Sequence, residues 1–195
     1  MSIQYYFPTA ILSEVHENVA KDLLPIAKQY LNDPKFVNDQ WGYKSTFTNA
    51  KGIAGEESFK PFINFIHRIS RDYLVKLGYD ESKIGFDTQL WVAEMVAGNE
   101  HRRHTHANSI LSGILYLEVP ADSAPIVFTD PRPFREIIAL PKLGDVPTNW
   151  ENVIFKPENG LLLLWESWLA HEVPKTRNEG KRTTIVFNLT NRVYE

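Results

Sequence analysis

A change of hydrophobic period near residue 80 divides this chain into two parts and limits what it can fold into. Before that point apolar residues recur at helical spacing, most clearly over residues 58–77. This stripe consists of Phe59, Phe62, Ile63, Ile66, Ile69, Tyr73, Leu74 and Leu77. Gly78 ends the predicted helix, and Pro61 is tolerated in its first turn, where no intrahelical donor is lost.

Two further elements are predicted in the N-terminal part. Residues 19–31 carry apolar side chains at helical spacing, so Pro25 must lie in the first turn of that helix or produce a kink. Residues 5–12 are apolar and aromatic around Pro8, which favours an edge strand because proline removes one ladder donor. We therefore expect a mainly helical layer over residues 1–84.

After residue 80 the period drops to two, and β-branched and aromatic residues dominate. The candidate strands are residues 86–97, 110–119, 125–129, 153–155, 161–165 and 183–190. Short strands with Pro, Gly and Asn turns and no intervening helix are typical of an antiparallel sandwich or barrel. The segment 130–150, rich in Pro and charge, is predicted to be a long insertion or lid loop.

Length, composition and charge limit the number of domains and exclude several classes of protein. A chain of 195 residues favours one domain, with the helices in 1–84 and a β core in 85–195. The absence of cysteine excludes disulfides and thiolate metal sites and fits a cytoplasmic location. No apolar run is long enough for a membrane span, and no signal peptide is evident. The net charge of −3 and scattered basic residues argue against nucleic-acid binding.

Histidines placed around strands are the main chemical feature. His104 and His106 precede the strand at 110–119, and residues two apart in an extended segment point to the same side. His171 follows the strand at 161–165, which a barrel can bring alongside the first. Arg182 opens the last strand and shares a face with Thr184 and Asn188, where these side chains can line a cavity.

Each of these residues also has a simpler interpretation. A His-x-His pair on a surface turn is usually solvated, and His101 is expected to be an exposed loop residue. Arg182 alone is most often a surface cation on a strand end. Gln89 alternates with Trp91 on one face of its strand, which is as consistent with core packing as with a pocket. The order of the residues is therefore more informative than any one of them.

That order resembles a known family. The segments Val92-Ala93-Glu94-Met95-Val96, Arg103-His104-Thr105-His106-Ala107-Asn108 and Gly113-Ile114-Leu115-Tyr116-Leu117 resemble the 2-oxoglutarate and iron(II)-dependent oxygenases of the prolyl-hydroxylase-like branch. The match continues with Gly160 to Trp165, His171-Glu172-Val173-Pro174 and Arg182 to Asn188. The chain is also similar to uncharacterised oxygenases of phages and marine bacteria, in which a His-x-His segment runs into Leu-Ser-Gly, here Leu111-Ser112-Gly113.

The resemblance implies a fold, cofactors and roles for particular residues. The fold would be a double-stranded β-helix, that is, a jelly-roll barrel, with an N-terminal helical layer. His104 and His171 would bind Fe(II), Tyr116 would point its hydroxyl at 2-oxoglutarate, and Arg182 would bind the distal carboxylate of that cosubstrate. A planar guanidinium offers a bidentate match to a carboxylate in a poorly hydrated barrel. Further candidates to line the cosubstrate pocket are Thr184, Asn188, Gln89 and Ser112.

One position departs from the family pattern. The usual facial triad has a carboxylate two positions after the first histidine, where this chain has His106. His106 can ligate and give a three-histidine centre, stand aside and leave a two-histidine site, or mark a degenerate site. We favour ligation, because His104 and His106 share a side. Glu94 is the one carboxylate kept as an outside candidate.

The predicted reaction is an oxidation by O2 coupled to 2-oxoglutarate decarboxylation, most simply hydroxylation of a small-molecule or peptide substrate. Two rivals remain: a three-histidine dioxygenase of the same fold that uses no 2-oxoglutarate, and a non-catalytic jelly-roll binding or structural module. Arg182 favours the 2-oxoglutarate-dependent enzyme over both rivals, since it has an evident role only where a dicarboxylate binds. Residues 130–150 and those around Trp41 are expected to shape the substrate pocket, and homo-oligomerisation is left open.

Overall fold

Residues with period-two patterning build two antiparallel sheets in the computed structural model, which describes residues 2–38, 42–132 and 140–192. The strands are β1 Ile11–Val15, β2 Lys44–Ser45, β3 Gly85–Met95, β4 His101–His104, β5 Leu111–Glu118, β6 Ile126–Thr129, β7 Asn152–Phe155, β8 Leu161–Glu166, β9 His171–Val173 and β10 Arg182–Arg192. The helices are α1 Glu17–Leu31, α2 Ala50–Ala54 and α3 Lys60–Lys76, with 3₁₀ turns at Phe47–Asn49, Glu57–Phe59 and Glu81–Lys83.

The larger sheet has the strand order β1-β8-β5-β10-β3-β2, and the smaller has the order β4-β9-β6-β7. The inner faces of the two sheets pack together, since Tyr116 and Trp165 of the larger sheet share one apolar cluster with Ile126 and Phe128 of the smaller. Among the described residues no strand pair joins the sheets, so the arrangement is an open jelly roll.

The outer face of the larger sheet carries the helices. Side chains alternate along β10, so that Ile185 and Phe187 point away from the face that holds Arg182. These two residues belong to the cluster that contains Phe62 and Ile66 of α3. The helical stripe predicted from the sequence therefore covers the sheet face that would otherwise be exposed.

Gly160 fixes how α1 joins the sheet. Its φ is +85°, and a Cβ atom at this position would lie 2.7 Å from the backbone nitrogen of Glu17. The amide of His16 donates a hydrogen bond of 2.8 Å to the carbonyl of Gly160. Only glycine allows both this left-handed conformation and this close approach.

Several predicted elements differ in detail from the structure. The N-terminal strand lies at residues 11–15 rather than 5–12, and within the predicted range Phe7 has a positive φ of 58°. Pro25 lies inside α1 rather than in its first turn, so that one intrahelical hydrogen bond is lost there. His101 belongs to strand β4 and is half-buried, so the expectation of an exposed loop residue was wrong.

The segment 130–150 is without helix or strand at residues 130–132 and 140–150. Residues 133–139 and Trp41 lie outside the described part of the chain, so the predictions about them concern residues that the structure does not describe. In the described ranges, no helix is both long enough and apolar enough to cross a membrane.

Candidate metal centre

The pairing of β4 with β9 brings the predicted histidines together. His104 at the end of β4 lies opposite His171 at the start of β9. His106 follows two residues later, and one ring nitrogen from each of His104, His106 and His171 lies within 4.8 Å of the other two. Among the described residues these three form the one group of this kind, and it contains no carboxylate.

Backbone carbonyls orient two of the three imidazole rings. Nδ1 of His104 lies 2.8 Å from the carbonyl oxygen of Arg102, and Nδ1 of His171 lies 2.9 Å from that of Leu169. A carbonyl only accepts, so each Nδ1 must carry the proton and donate it. The lone pair is then on Nε2, which is the arrangement that metal-binding histidines commonly have.

His106 is held by the loop that follows β8. Its backbone amide donates to the carbonyl of Ser167 at 3.1 Å. Its Nε2 lies 3.3 Å from Nε2 of His171, and its ring faces that of Trp91 at a centroid distance of 6.4 Å. At this separation the two Nε2 atoms either share one proton or face one cation. The second arrangement is the one required if His106 is to be a metal ligand.

Burial keeps the imidazoles neutral. It lowers the pKa of His106 to about 3, with further lowering by His171, His104 and His101. Burial lowers the pKa of His171 to about 4, with His104 adding to the effect. The pKa of His104 is also lowered by burial, against the opposing hydrogen bond to Arg102. Neutral imidazole is the form that binds a metal ion, so the cluster is prepared for one.

Glu94, the outside candidate for a carboxylate ligand, is not near the histidines. It lies on the opposite face of β3 from Ala93 and Met95, and Oε1 accepts a hydrogen bond of 2.9 Å from Lys181. The structure therefore gives Glu94 no part in the cluster.

Arg182 lies at the start of β10 and is only 2% exposed. Its Nη1 donates to the carbonyl of Ala124 at 2.8 Å, and its Nη2 lies 2.7 Å from Sδ of Met95. Burial lowers its pKa, opposed by Tyr116 and Tyr43. It forms no ion pair with any carboxylate in the described part of the chain.

Two buried polar atoms beside Arg182 lack protein partners. Nε of Arg182 and Oη of Tyr116 are both buried without a hydrogen-bond partner among the described residues. The guanidinium carbon lies 5.9 Å from the centre of the Tyr116 ring, and burial raises the pKa of Tyr116 to about 12. A buried cation with an unsatisfied N–H next to an unsatisfied phenol O–H fits a carboxylate, and the distal carboxylate of 2-oxoglutarate is of this kind.

Comparison of the sequence with known protein families agrees with this geometry. Residues 89–188, just over half of the chain, match the family described as "putative 2OG-Fe(II) oxygenase". The chain belongs to this family. The matched region includes His104, His106, Tyr116, His171 and Arg182, and the family implies Fe(II), 2-oxoglutarate and O2, as predicted. No curated protein matches the sequence significantly.

Solved structures confirm the fold of this oxygenase. A Pseudomonas putida prolyl-4-hydroxylase matches with a TM-score of 0.66 at 14% identity, over 95% of this chain and 94% of its own. A Trichoplax adhaerens prolyl hydroxylase, solved with a hypoxia inducible factor peptide, matches with a TM-score of 0.62 at 14% identity, over 93% of this chain and 83% of its own. A Phytophthora capsici prolyl 4-hydroxylase gives 0.60 at 13% identity, over 93% and 58%. The predicted double-stranded β-helix is therefore confirmed.

The remaining predicted pocket residues lie at two different ends of the site. Thr184 is next to Arg182 on the inner face, opposite Tyr116 of β5. Asn188 lies six residues after Arg182 on β10, a distance of about 20 Å at the rise of a strand. Its neighbours at this position are Ser112 of β5 and the half-buried Gln89 of β3. Thr184 thus lies beside Arg182, whereas the other three residues lie further along the strands.

Asn188 and Ser112 take part in a hydrogen-bond network behind His106. Oγ of Ser112 donates to Oδ1 of Asn188 at 2.9 Å and lies 2.8 Å from Oγ of Ser167. Ser167 is also the residue whose carbonyl binds the amide of His106. The structure therefore gives these polar residues a contact with the histidine-bearing loop.

Four residues of the site were not predicted from the sequence. Trp165 and Phe128 pack against His171 with ring centroids at 4.8 and 5.5 Å, and Tyr43 and His101 form a hydrogen-bonded pair at 2.6 Å. Trp165 lies in a strand of buried apolar residues, so its sequence pattern does not distinguish it from an ordinary core residue. Tyr43 precedes a strand of two residues, which is too short to be recognised by its period.

Proposed function

We propose that this oxygenase binds Fe(II) through His104, His106 and His171, binds 2-oxoglutarate through Arg182 and Tyr116, and hydroxylates a small-molecule or peptide substrate. One observation carries the proposal. A cluster of neutral imidazoles at the smaller sheet and a buried, carboxylate-free arginine on the larger sheet both face the interior between the sheets, with unsatisfied donors beside the arginine.

The charges in the site favour an anionic cosubstrate. Three neutral imidazoles leave the full charge of a divalent ion uncompensated, whereas the usual carboxylate would cancel one unit. Arg182 adds a further buried positive charge. A dicarboxylate bound between the two would neutralise most of this charge in a region of low dielectric.

The chemistry that bound Fe(II) supplies is the activation of O2 coupled to oxidative decarboxylation of 2-oxoglutarate. The protein residues have other tasks. His104 and His171 present Nε2 in a fixed orientation, Arg182 and Tyr116 hold the distal carboxylate, and the rings of Trp165 and Phe128 exclude water from one side of His171. The network of Ser112, Asn188 and Ser167 is then a support for the loop that carries His106.

The two rival interpretations are weaker. A three-histidine dioxygenase without 2-oxoglutarate would leave Arg182 and Tyr116 with unsatisfied buried donors and no ligand. A non-catalytic binding module would have no need of the imidazole cluster, and the family is one of oxygenases.

We also infer that residues 1–195 fold as one domain. The core cluster contains residues of α1 and α3 together with residues of β3, β5, β8 and β10. Removal of residues 1–84 would expose this apolar sheet face to water. Cytoplasmic location and the absence of nucleic-acid partners remain proposals from composition and charge.

The direct test is conversion of 2-oxoglutarate to succinate by purified protein with Fe(II), ascorbate and O2. The expected result is succinate formation that requires Fe(II) and is lost in His171→Ala. A wild-type protein that binds iron through these histidines but neither binds nor consumes 2-oxoglutarate would overturn the proposal in favour of the first rival.

A further inference from the structure

A β-bulge brings His101 to the same side of β4 as His104. Residues three apart in a regular strand point to opposite faces. The pairing of β4 with β9 shifts register between His101 and His104, and an extra residue of this kind reverses the alternation. The two rings are consequently 4.2 Å apart, so that His101 lies next to the candidate metal centre.

Tyr43 lies on the Arg182 side of the same interior. It directly precedes β2, whose Lys44 pairs with Glu94 of β3. Its side chain is 6% exposed and packs in one cluster with Met95 and Ala124. Both of these residues contact the guanidinium of Arg182.

A hydrogen bond joins these two side chains. Oη of Tyr43 lies 2.6 Å from Nδ1 of His101. The pair therefore extends from the contacts of Arg182 to the ring of His104, along the interval that a dicarboxylate bridging metal and arginine would occupy. Tyr43 precedes the region that matches the family, which begins at residue 89.

We propose that Tyr43 and His101 form a hydrogen-bonded pair that lines the 2-oxoglutarate pocket and positions the cosubstrate between the histidine cluster and Arg182. The inference rests on the proposed function. Carboxylate and keto oxygens transferred from water into this buried interior need polar neighbours, and the pair supplies them beside an apolar cluster that includes Met95, Ala93 and Trp91. Tyr43 and His101 are positioning residues and not metal ligands.

The test is calorimetric titration of 2-oxoglutarate into the full-length protein loaded with Mn(II), which avoids turnover. Tyr43→Phe keeps the ring and removes only the hydroxyl. We expect it to weaken 2-oxoglutarate binding about three- to tenfold, the effect of one lost net hydrogen bond, with unchanged Mn(II) affinity. His101→Phe should weaken binding to a similar extent, and the double variant should be no weaker than either single variant.

A matched control separates positioning from general stability. Tyr73 is also a buried tyrosine, and its hydroxyl donates to the carbonyl of Ala10 at 3.0 Å, in the helical layer. Tyr73→Phe should change thermal stability without changing 2-oxoglutarate affinity. His101→Asn retains a polar group near the Nδ1 position and should bind 2-oxoglutarate more tightly than His101→Phe.

The outcomes distinguish this inference from the proposed function. If wild type binds 2-oxoglutarate and Arg182→Gln does not, but Tyr43→Phe binds as wild type, the inference is overturned and the proposed function stands. Equal losses of Mn(II) and 2-oxoglutarate affinity in Tyr43→Phe would show a structural role and also overturn it. A wild type that does not bind 2-oxoglutarate at all would overturn both.

Discussion

Replacement of Arg182 by alanine should weaken 2-oxoglutarate binding more than any other change outside the histidine cluster. Arg182 is 2% exposed, and its Nε has no partner among the described residues. A hydrogen bond to a charged group contributes about 1.5–3 kcal/mol, and a carboxylate can take more than one from a guanidinium. We therefore expect a loss of about 2–4 kcal/mol, which corresponds to roughly 30- to 1000-fold in Kd.

The same geometry predicts an opposite effect on stability. Without a cosubstrate, Arg182 is a buried cation with no ion pair in the described ranges, which costs free energy of folding. Arg182→Met fills a similar volume without charge, so it should raise the thermal midpoint of the cosubstrate-free protein. Added 2-oxoglutarate should then stabilise the wild type but not the variant.

Calorimetry with the Mn(II)-loaded protein, combined with thermal denaturation, measures both effects. Arg177→Ala is the control, because Arg177 is an exposed cation on the neighbouring β9–β10 loop and should be without influence. Undiminished 2-oxoglutarate affinity in Arg182→Ala, together with a loss in Arg177→Ala, would refute the reasoning and assign the carboxylate to the loop.

Three further predictions concern the histidines and the fold. In metal titrations, His104→Ala and His171→Ala should lose nearly all Fe(II) or Mn(II) binding. His106→Ala should lose it only in part, because water can take the place of the imidazole. Unchanged stoichiometry in His104→Ala or His171→Ala would show that the replaced residue is not a metal ligand. His106→Asp should still bind one metal ion per chain, since a carboxylate at this position is the common family pattern; loss of binding in titration would show that the loop cannot accommodate the shorter ligand. Gly160→Ala should lower the free energy of unfolding in urea by more than about 1–2 kcal/mol, the cost of the left-handed conformation alone, because the added Cβ also meets the backbone of Glu17; an unchanged denaturation midpoint would contradict this account of Gly160.

The fold and the main site could be predicted where the information is local. The period of two places Arg182 and Thr184 on one face of β10, and the i, i+2 spacing places His104 and His106 on one side. These inferences need only strand geometry, and the structure agrees with them. The resemblance to the family then rests on the order of the short segments that carry His104, Tyr116, His171 and Arg182.

What could not be predicted depends on interactions between distant segments. Alternation places His101 on the opposite side from His104, and only the pairing with β9 reveals the bulge that reverses this. Tyr43 enters the site through a two-residue strand paired with β3. Asn188 does share a face with Arg182, but the two residues are about 20 Å apart along β10, so a common face does not imply a common ligand.

X-ray absorption on the anaerobic Fe(II)-loaded protein tests most directly whether three imidazoles hold the iron, because it counts the histidine ligands. We expect three imidazoles per iron in the wild type and two in His106→Ala. Two imidazoles in the wild type, unchanged in His106→Ala, would contradict it and leave His106 outside the coordination sphere.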